Sequence, residues 1–344
     1  MNNLNQSLYN SLFSHIYIEK DIKHHSVTEK ILSHFPKAER IEIEHYKDVF
    51  CRSHQNYRLQ KQTPSLILAK KGQNMIYKGA PVCQDFGNRH FYYTSSVMNC
   101  IYDCEYCYLQ GMYPSANLVV FVNLEELFEQ VEVLLQKHPV YLCVSYDTDL
   151  LALEGLLGYT AEWINFASAH PKLTIEVRTK SANYPILKEL QPRDNVILAW
   201  TLSPQRLAES LEHHVPSIQQ RLECIKLAIL RGFRVRLCFD PMLYCSDWRK
   251  QYQEMMDMVF SGIAVDKIED VSVGVFRISQ DYLKKMRKQA QDCAIIQYPY
   301  ENDKGVYHYS NELTNEMISF AVSNISKYIS KEKIFSWEKS SFLL

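Results

Sequence analysis

The chain has 344 residues, 47% apolar and 12% aromatic, enough to bury one large core or a core with a small appendage. Its 38 basic and 39 acidic residues leave a net charge of −1, so the molecule as a whole has no general attraction for a phosphate backbone, and any contact with nucleic acid requires a local basic patch. The start of the chain lacks the basic-then-apolar run of a secretory signal, and no apolar segment is long enough to span a bilayer, so a cytoplasmic protein without a membrane partner is expected, its ten cysteines reduced rather than paired in a disulfide framework.

In chain order, His15–Glu19 and Arg40–Glu44 alternate like half-buried strands around a helical stretch, Val27–Phe35. The segment Cys51–Lys71 mixes Arg52, His54, Arg58, Lys61, Lys70 and Lys71 with the apolar run Leu66–Ala69, and reads as a solvated loop or as a phosphate-facing surface beside a strand. Residues 1–85 are therefore expected to form an N-terminal α/β lobe with a connecting segment, and residues 86–344 a second unit. Phe91–Ser95 begins that unit, and Asn123, with Glu126 three residues on, resembles a capping box opening a helix over Leu124–Lys137. The strands Val140–Tyr146, Leu173–Thr179, Val196–Leu202, Phe233–Asp240 and Val271–Arg277 follow, separated by helical stretches such as Ser217–Arg231, which stops at Gly232, and Trp248–Phe260. Six β–α pairs with right-handed crossovers predict an α/β fold, a partial (β/α)6 barrel. Tyr298–Tyr309 reads as a hairpin turning over Glu301–Gly305, and Asn311–Ile329 as a closing helix.

After the first barrel strand comes Cys100-Ile-Tyr-Asp-Cys104-Glu-Tyr-Cys107. A four-iron four-sulfur cluster held by protein alone takes four thiolates, so three cysteines in C-x3-C-x2-C leave one iron with an open position. A zinc knot would want four ligands in two close pairs, and no second pair exists. The pairs His24-His25 and His213-His214 lack the i, i+4 spacing of a zinc helix and read as surface. The cysteine spacing is the signature of the radical S-adenosylmethionine (radical SAM) family. With its flanks, C-x3-C-x-Y-C-Y-L-Q followed by Asn117–Glu126, the sequence resembles the spore photoproduct lyase family, from roughly the first third of the chain to its end.

That resemblance implies a DNA repair lyase that uses a 4Fe-4S cluster and S-adenosyl-L-methionine to revert the thymine–thymine lesion 5-thyminyl-5,6-dihydrothymine. Its partners would be damaged DNA and an electron donor such as flavodoxin or ferredoxin. Cys100, Cys104 and Cys107 would hold the cluster, with Tyr106 packed near the adenine of the cofactor. Cofactor contacts are expected at the strand ends, from Ser145, Lys180, Thr201 and Ser203. Each hydroxyl has the alternative role of a strand-end cap, whereas a lysine ending an apolar strand inside a barrel mouth needs an anion. Arg277, Tyr298, Tyr307 and Tyr309, with Tyr300, would replace the stacking of an extruded base, unless the tyrosines are the edge of a core. One departure matters. Bacillus-type lyases end the second strand in Ser-Cys-Thr-Ser-Asp, whose cysteine returns hydrogen to the product radical, whereas here the run is Ser145-Tyr146-Asp147-Thr148-Asp149, as in clostridial-type members. Tyr146, Cys83, Cys143 and Cys245 are the candidate donors, with Tyr106 or Tyr108 as relay. Cys83 leads, because strand alternation turns Cys143 away from the face that Tyr146 uses. The competing readings are a radical SAM enzyme acting on a peptide or small molecule, and a non-catalytic metal module that binds DNA.

Overall fold

The computed structural model describes residues 13–80 and 83–337. Its larger sheet has eight strands: β1 Ile76–Lys78, β2 Phe91–Thr94, β3 Val140–Cys143, β4 Leu173–Thr179, β5 Val196–Thr201, β6 Arg234–Met242, β7 Ile268–Val275 and β8 Ile334–Ser336. They lie side by side in chain order. From β2 to β8 every pairing is parallel, and only β1 runs antiparallel to its neighbour. That order is what successive crossovers of one hand build, each helix returning the chain beside the strand just made. Both faces of these strands are covered, so β3 and β5 are buried throughout and read as unbroken apolar runs. The covering helices bury one stripe each, for example Ile218, Leu222, Ile225 and Ala228 in Ile218–Arg231. That helix starts in a capping box of Ser217 with Gln220 and stops at Gly232, φ +89°, a backbone region that favours glycine.

The sheet curls but does not close, since β1 and β8 share no ladder. Phe86 plugs the opening, its ring 5.4 Å from that of Phe335 and 6.1 Å from that of Tyr141, with the Arg236 guanidinium 3.3 Å over its centroid. Arg236 is itself buried and tied to Asp270, Glu176 and Tyr141. A guanidinium inside a barrel is tolerable only with such a full set of acceptors.

The smaller sheet corrects the expected division of the chain at residue 85. Its order is Glu39–Ile43, His15–Glu19, Leu66–Ala69, Leu118–Phe121 and Val97–Met98. The last two strands come from beyond residue 85, on either side of the cysteine loop, so the lobe and the barrel are joined through that loop. Leu66–Ala69 is buried on both faces and needs a ladder partner on each edge; Leu118–Phe121, equally apolar, supplies the second. Asn123 stands at the N-cap of the helix Leu124–Leu135 but makes no side-chain capping bond. Its amide instead clips Lys71, accepting from the Lys71 N–H at 2.8 Å and donating to the Lys71 carbonyl at 3.0 Å. The basic segment expected as loop contains a helix, Tyr57–Gln62, with Tyr57 buried. The hairpin forms as expected, Glu301–Asp303 against Val306–His308 with Lys304 and Gly305 at positive φ in the turn, and Arg277–Ser279 adds a third strand.

Candidate active site

The cysteine loop is pinned by an antiparallel pair of two-residue strands, Asp103–Cys104 with Glu212–His213, and by Glu105 N–H donating to the Leu211 carbonyl at 2.8 Å. Glu212 is the hub of this region. Its buried carboxylate accepts from Ser203 Oγ at 2.8 Å, from the Tyr106 hydroxyl and from Arg221. Burial pushes the Glu212 carboxyl up, but Lys180, Arg221 and the two hydrogen bonds outweigh it and hold the group at about 2. Arg221 reaches on to the Thr201 carbonyl at 3.1 Å. Lys180 lies 5.6 Å over the Tyr106 ring, beside the Cys104 thiol and the Glu212 carboxylate. Burial opposes its charge, yet those neighbours keep the ammonium above its ordinary value. Tyr106, Lys180, Thr201 and Ser203 are thus gathered beside Cys104 around one carboxylate that sequence reasoning did not single out.

A second group sits at the ends of β2 and β3. The Cys83 Sγ and the Tyr146 hydroxyl are 3.2 Å apart. The Tyr146 ring stacks on Tyr93, centroids 4.1 Å apart at 27°, and Tyr108 lies 6.0 Å away, its hydroxyl donating to the Tyr146 carbonyl at 2.8 Å. Beneath them the buried Asp147 accepts from Ser95, from Tyr113 at 2.8 Å and from Tyr108 at 3.3 Å. Burial raises the Cys83 thiol despite its bond to Tyr146 and the nearby Arg277 and Arg178, and burial together with Cys83 raises the Tyr146 phenol. Both groups therefore stay protonated at neutral pH and can carry hydrogen atoms. A thiolate could not.

Other expected site residues are committed elsewhere. Ser145 Oγ accepts from the Arg178 N–H at 2.6 Å and donates to the Arg178 carbonyl at 2.8 Å, which makes it the clip between two strands rather than a free hydroxyl. Tyr309 is fully buried and its hydroxyl accepts from the Tyr244 N–H at 2.9 Å, so it is core, as is Tyr300. Tyr298 and Tyr307 are half-buried, Tyr307 beneath the Arg287 guanidinium at 5.4 Å. Arg277 forks onto Asp240 at 2.9 and 3.1 Å. Cys143 is buried 4.0 Å from a Glu176 oxygen, and Cys245 lies at 3.5 Å from Asp247; neither is hydrogen-bonded to Tyr146. His213 is half-buried rather than surface, its ring 2.9 Å from Glu105.

The sequence profile of the spore photoproduct lyase family matches residues 86–333. The chain belongs to that family. A curated spore photoproduct lyase of Clostridium acetobutylicum is 20% identical over 254 residues, covering 69% of this chain and 74% of its own. Among solved structures, spore photoproduct lyase complexed with dinucleoside spore photoproduct has a TM-score of 0.80, and a double mutant with bound AdoMet and the same dinucleoside one of 0.79. Each is 14% identical and covers 94% of this chain and 98% of its own, so the barrel with its lobe is the spore photoproduct lyase fold.

The donor set suits the cluster and cofactor of a spore photoproduct lyase. Burial pushes up the Cys100, Cys104 and Cys107 thiols, Cys100 to about 12; Cys107 adds to the rise at Cys100, and both add to it at Cys104, so the three share one neighbourhood. Lys61, which donates to the Cys100 carbonyl, and Lys180 oppose that rise and would offset the anionic charge of a thiolate-bound cluster. Among the described residues no three His, Cys, Asp or Glu side chains converge tightly enough for a single metal ion. A four-iron cluster spreads its thiolates over separate irons and asks for a wider spacing.

Proposed function

We propose that this chain reverts 5-thyminyl-5,6-dihydrothymine in DNA to two thymines, as a radical SAM carbon–carbon lyase, with Cys83 as the immediate hydrogen donor. The observation that carries the reading is the Cys83–Tyr146 contact at strand ends shared with the Cys100–Cys107 loop. Cys100, Cys104 and Cys107 would hold the cluster, which with S-adenosylmethionine bound would supply the radical chemistry that takes hydrogen from the dihydrothymine ring. Lys180 is suited to the cofactor carboxylate, and Tyr106, held by Glu212, to its adenine.

Once the bond between the bases has broken, the product radical has to be quenched inside the closed site. The Cys83 S–H bond breaks and a C–H bond forms on thymine. The sulfur then takes hydrogen from the Tyr146 hydroxyl 3.2 Å away, leaving the unpaired electron on a ring stacked against Tyr93 and next to Tyr108. Half-buried Tyr298 and Tyr307 are suited to stack on the extruded bases, with Arg277 held by Asp240. No helix among the described residues is long and apolar enough to cross a membrane. A cytoplasmic site of action, with flavodoxin or ferredoxin as the one-electron donor, completes the proposal.

Anaerobic reconstitution tests the metal part. About four iron atoms per chain are expected, with cofactor cleavage lost in Cys104→Ala. Stoichiometric zinc and no bound iron would overturn it.

A further inference from the structure

The helix Gln280–Gln289 follows the short strand Arg277–Ser279 and buries Leu283 and Met286, with Ala290 just beyond its end also buried. At 100° per residue, Lys284, Lys285 and Lys288 fall within an arc of about 100° on the opposite side, and all three are exposed. Among the described residues none of these ammonium groups has a carboxylate within ion-pair distance, although other lysines do: Lys20 with Glu44, Lys23 with Glu42, Lys70 with Glu126 and Lys226 with Glu223. The only carboxylate on this face of the helix, Asp281, sits in the first turn, where it complements the helix N-terminus. In a protein of net charge −1, three unpaired lysines in five residues form a local cationic strip.

The position of the strip gives it a use. The helix lies against the turn Leu109–Met112, directly after Cys107, so closely that a Cβ on Gly111 would come within 2.5 Å of Tyr282. Gln280 binds the hairpin tip, its N–H donating to the Gly305 carbonyl at 2.8 Å and its Oε1 accepting from Asn302 at 3.1 Å, which brings exposed Lys304 to the near end of the strip. The helix therefore runs from the hairpin past the cysteine loop along the rim of the site. Lys284 to Lys288 covers about 6 Å of axis, the length of about two phosphate steps of one strand.

We propose that Lys284, Lys285 and Lys288 are a phosphate-docking strip for the DNA strand flanking the lesion. The strip contributes affinity without reading sequence and takes no part in the chemistry. The proposal rests on the lyase reading and extends it from the lesion to its flanks.

The test compares the parent with K284Q/K285Q/K288Q on two substrates, the dinucleotide spore photoproduct and a duplex carrying one defined lesion, and adds fluorescence-anisotropy titrations of lesion and undamaged duplex from 50 to 200 mM salt. Each lost phosphate contact removes about 0.9 from the slope of log affinity against log salt, so the variant's slope should be shallower by about 2 to 3 and its duplex affinity at 100 mM salt lower by about tenfold or more. Dinucleotide repair should match the parent, which also shows that the variant folds. An unchanged slope, or equal losses on dinucleotide and duplex, would overturn the strip. If the parent repaired neither substrate, the lyase reading would fall, while the slope on undamaged duplex would still decide whether the strip binds phosphate.

Discussion

Replacing Cys83 by serine separates the two things its side chain does. Its sulfur is the hydrogen-bond partner of the Tyr146 hydroxyl at 3.2 Å, and its S–H bond is weak enough to give a hydrogen atom to a carbon radical. Cys83→Ala removes both and leaves the largely buried Tyr146 hydroxyl without a partner, which costs about 1–3 kcal/mol of stability. Cys83→Ser restores the hydrogen bond, so its loss should stay below about 1 kcal/mol, but the aliphatic O–H bond of serine, unlike a thiol S–H or a phenol O–H, is too strong to be a donor. Denaturant unfolding should therefore rank parent and Cys83→Ser together, above Cys83→Ala. Anaerobic turnover of a defined lesion with product analysis should group Cys83→Ser with Cys83→Ala, both cleaving the bond between the bases and releasing adducts in place of clean thymine. Tyr146→Phe, which keeps the thiol, should be milder. Clean repair by both Cys83 variants, with adducts only in Tyr146→Phe, would refute the reasoning and make the tyrosine the donor.

Glu212→Gln leaves the Arg221 guanidinium buried without its carboxylate, the two side chains being 1% and 0% exposed, and should cost about 3–5 kcal/mol in denaturant unfolding. Because Glu212 also pairs with Cys104 in the backbone, iron retained after reconstitution should fall at equal folded fraction; undiminished retention would contradict that coupling. Lys71 gives a pH dependence, since burial lowers its ammonium from 10.5 to about 8 while Asp147 opposes the shift. The unfolded chain then binds the additional proton between those values, so the parent should gain stability relative to Lys71→Met as pH rises through that window, by up to about 1.4 kcal/mol per unit. A constant difference between pH 7 and 10 would contradict it.

The parts of the site that could be read from the sequence are those whose chemistry lies in local spacing or at a strand end. Cys100, Cys104 and Cys107 declare themselves within eight residues, and Lys180 stands out as a charge ending an apolar strand. Cys83 was reached by eliminating strand positions, and it does meet Tyr146. Glu212 could not be found this way. It follows an ordinary helix in Ser-Leu-Glu-His-His, and its importance comes from a two-residue ladder to a segment more than a hundred residues earlier. Tyr309 and Ser145 take the alternative roles that the sequence left open, core edge and strand clip, because a hydroxyl in sequence does not reveal whether a backbone group will occupy it. Six of the seven parallel strands were legible as repeated apolar runs; the short seventh, Ile334–Ser336, was not, nor was the smaller sheet, since Val97–Met98 and Leu118–Phe121 pair across the cysteine loop with strands of the lobe.

The most direct test of the central claim is anaerobic incubation of the reconstituted protein, with S-adenosylmethionine and reductant, on oligonucleotides carrying either one spore photoproduct or one cyclobutane thymine dimer. The account predicts conversion of the spore photoproduct to two thymines and no change in the cyclobutane dimer. Cofactor cleavage with no turnover of the spore photoproduct would contradict it.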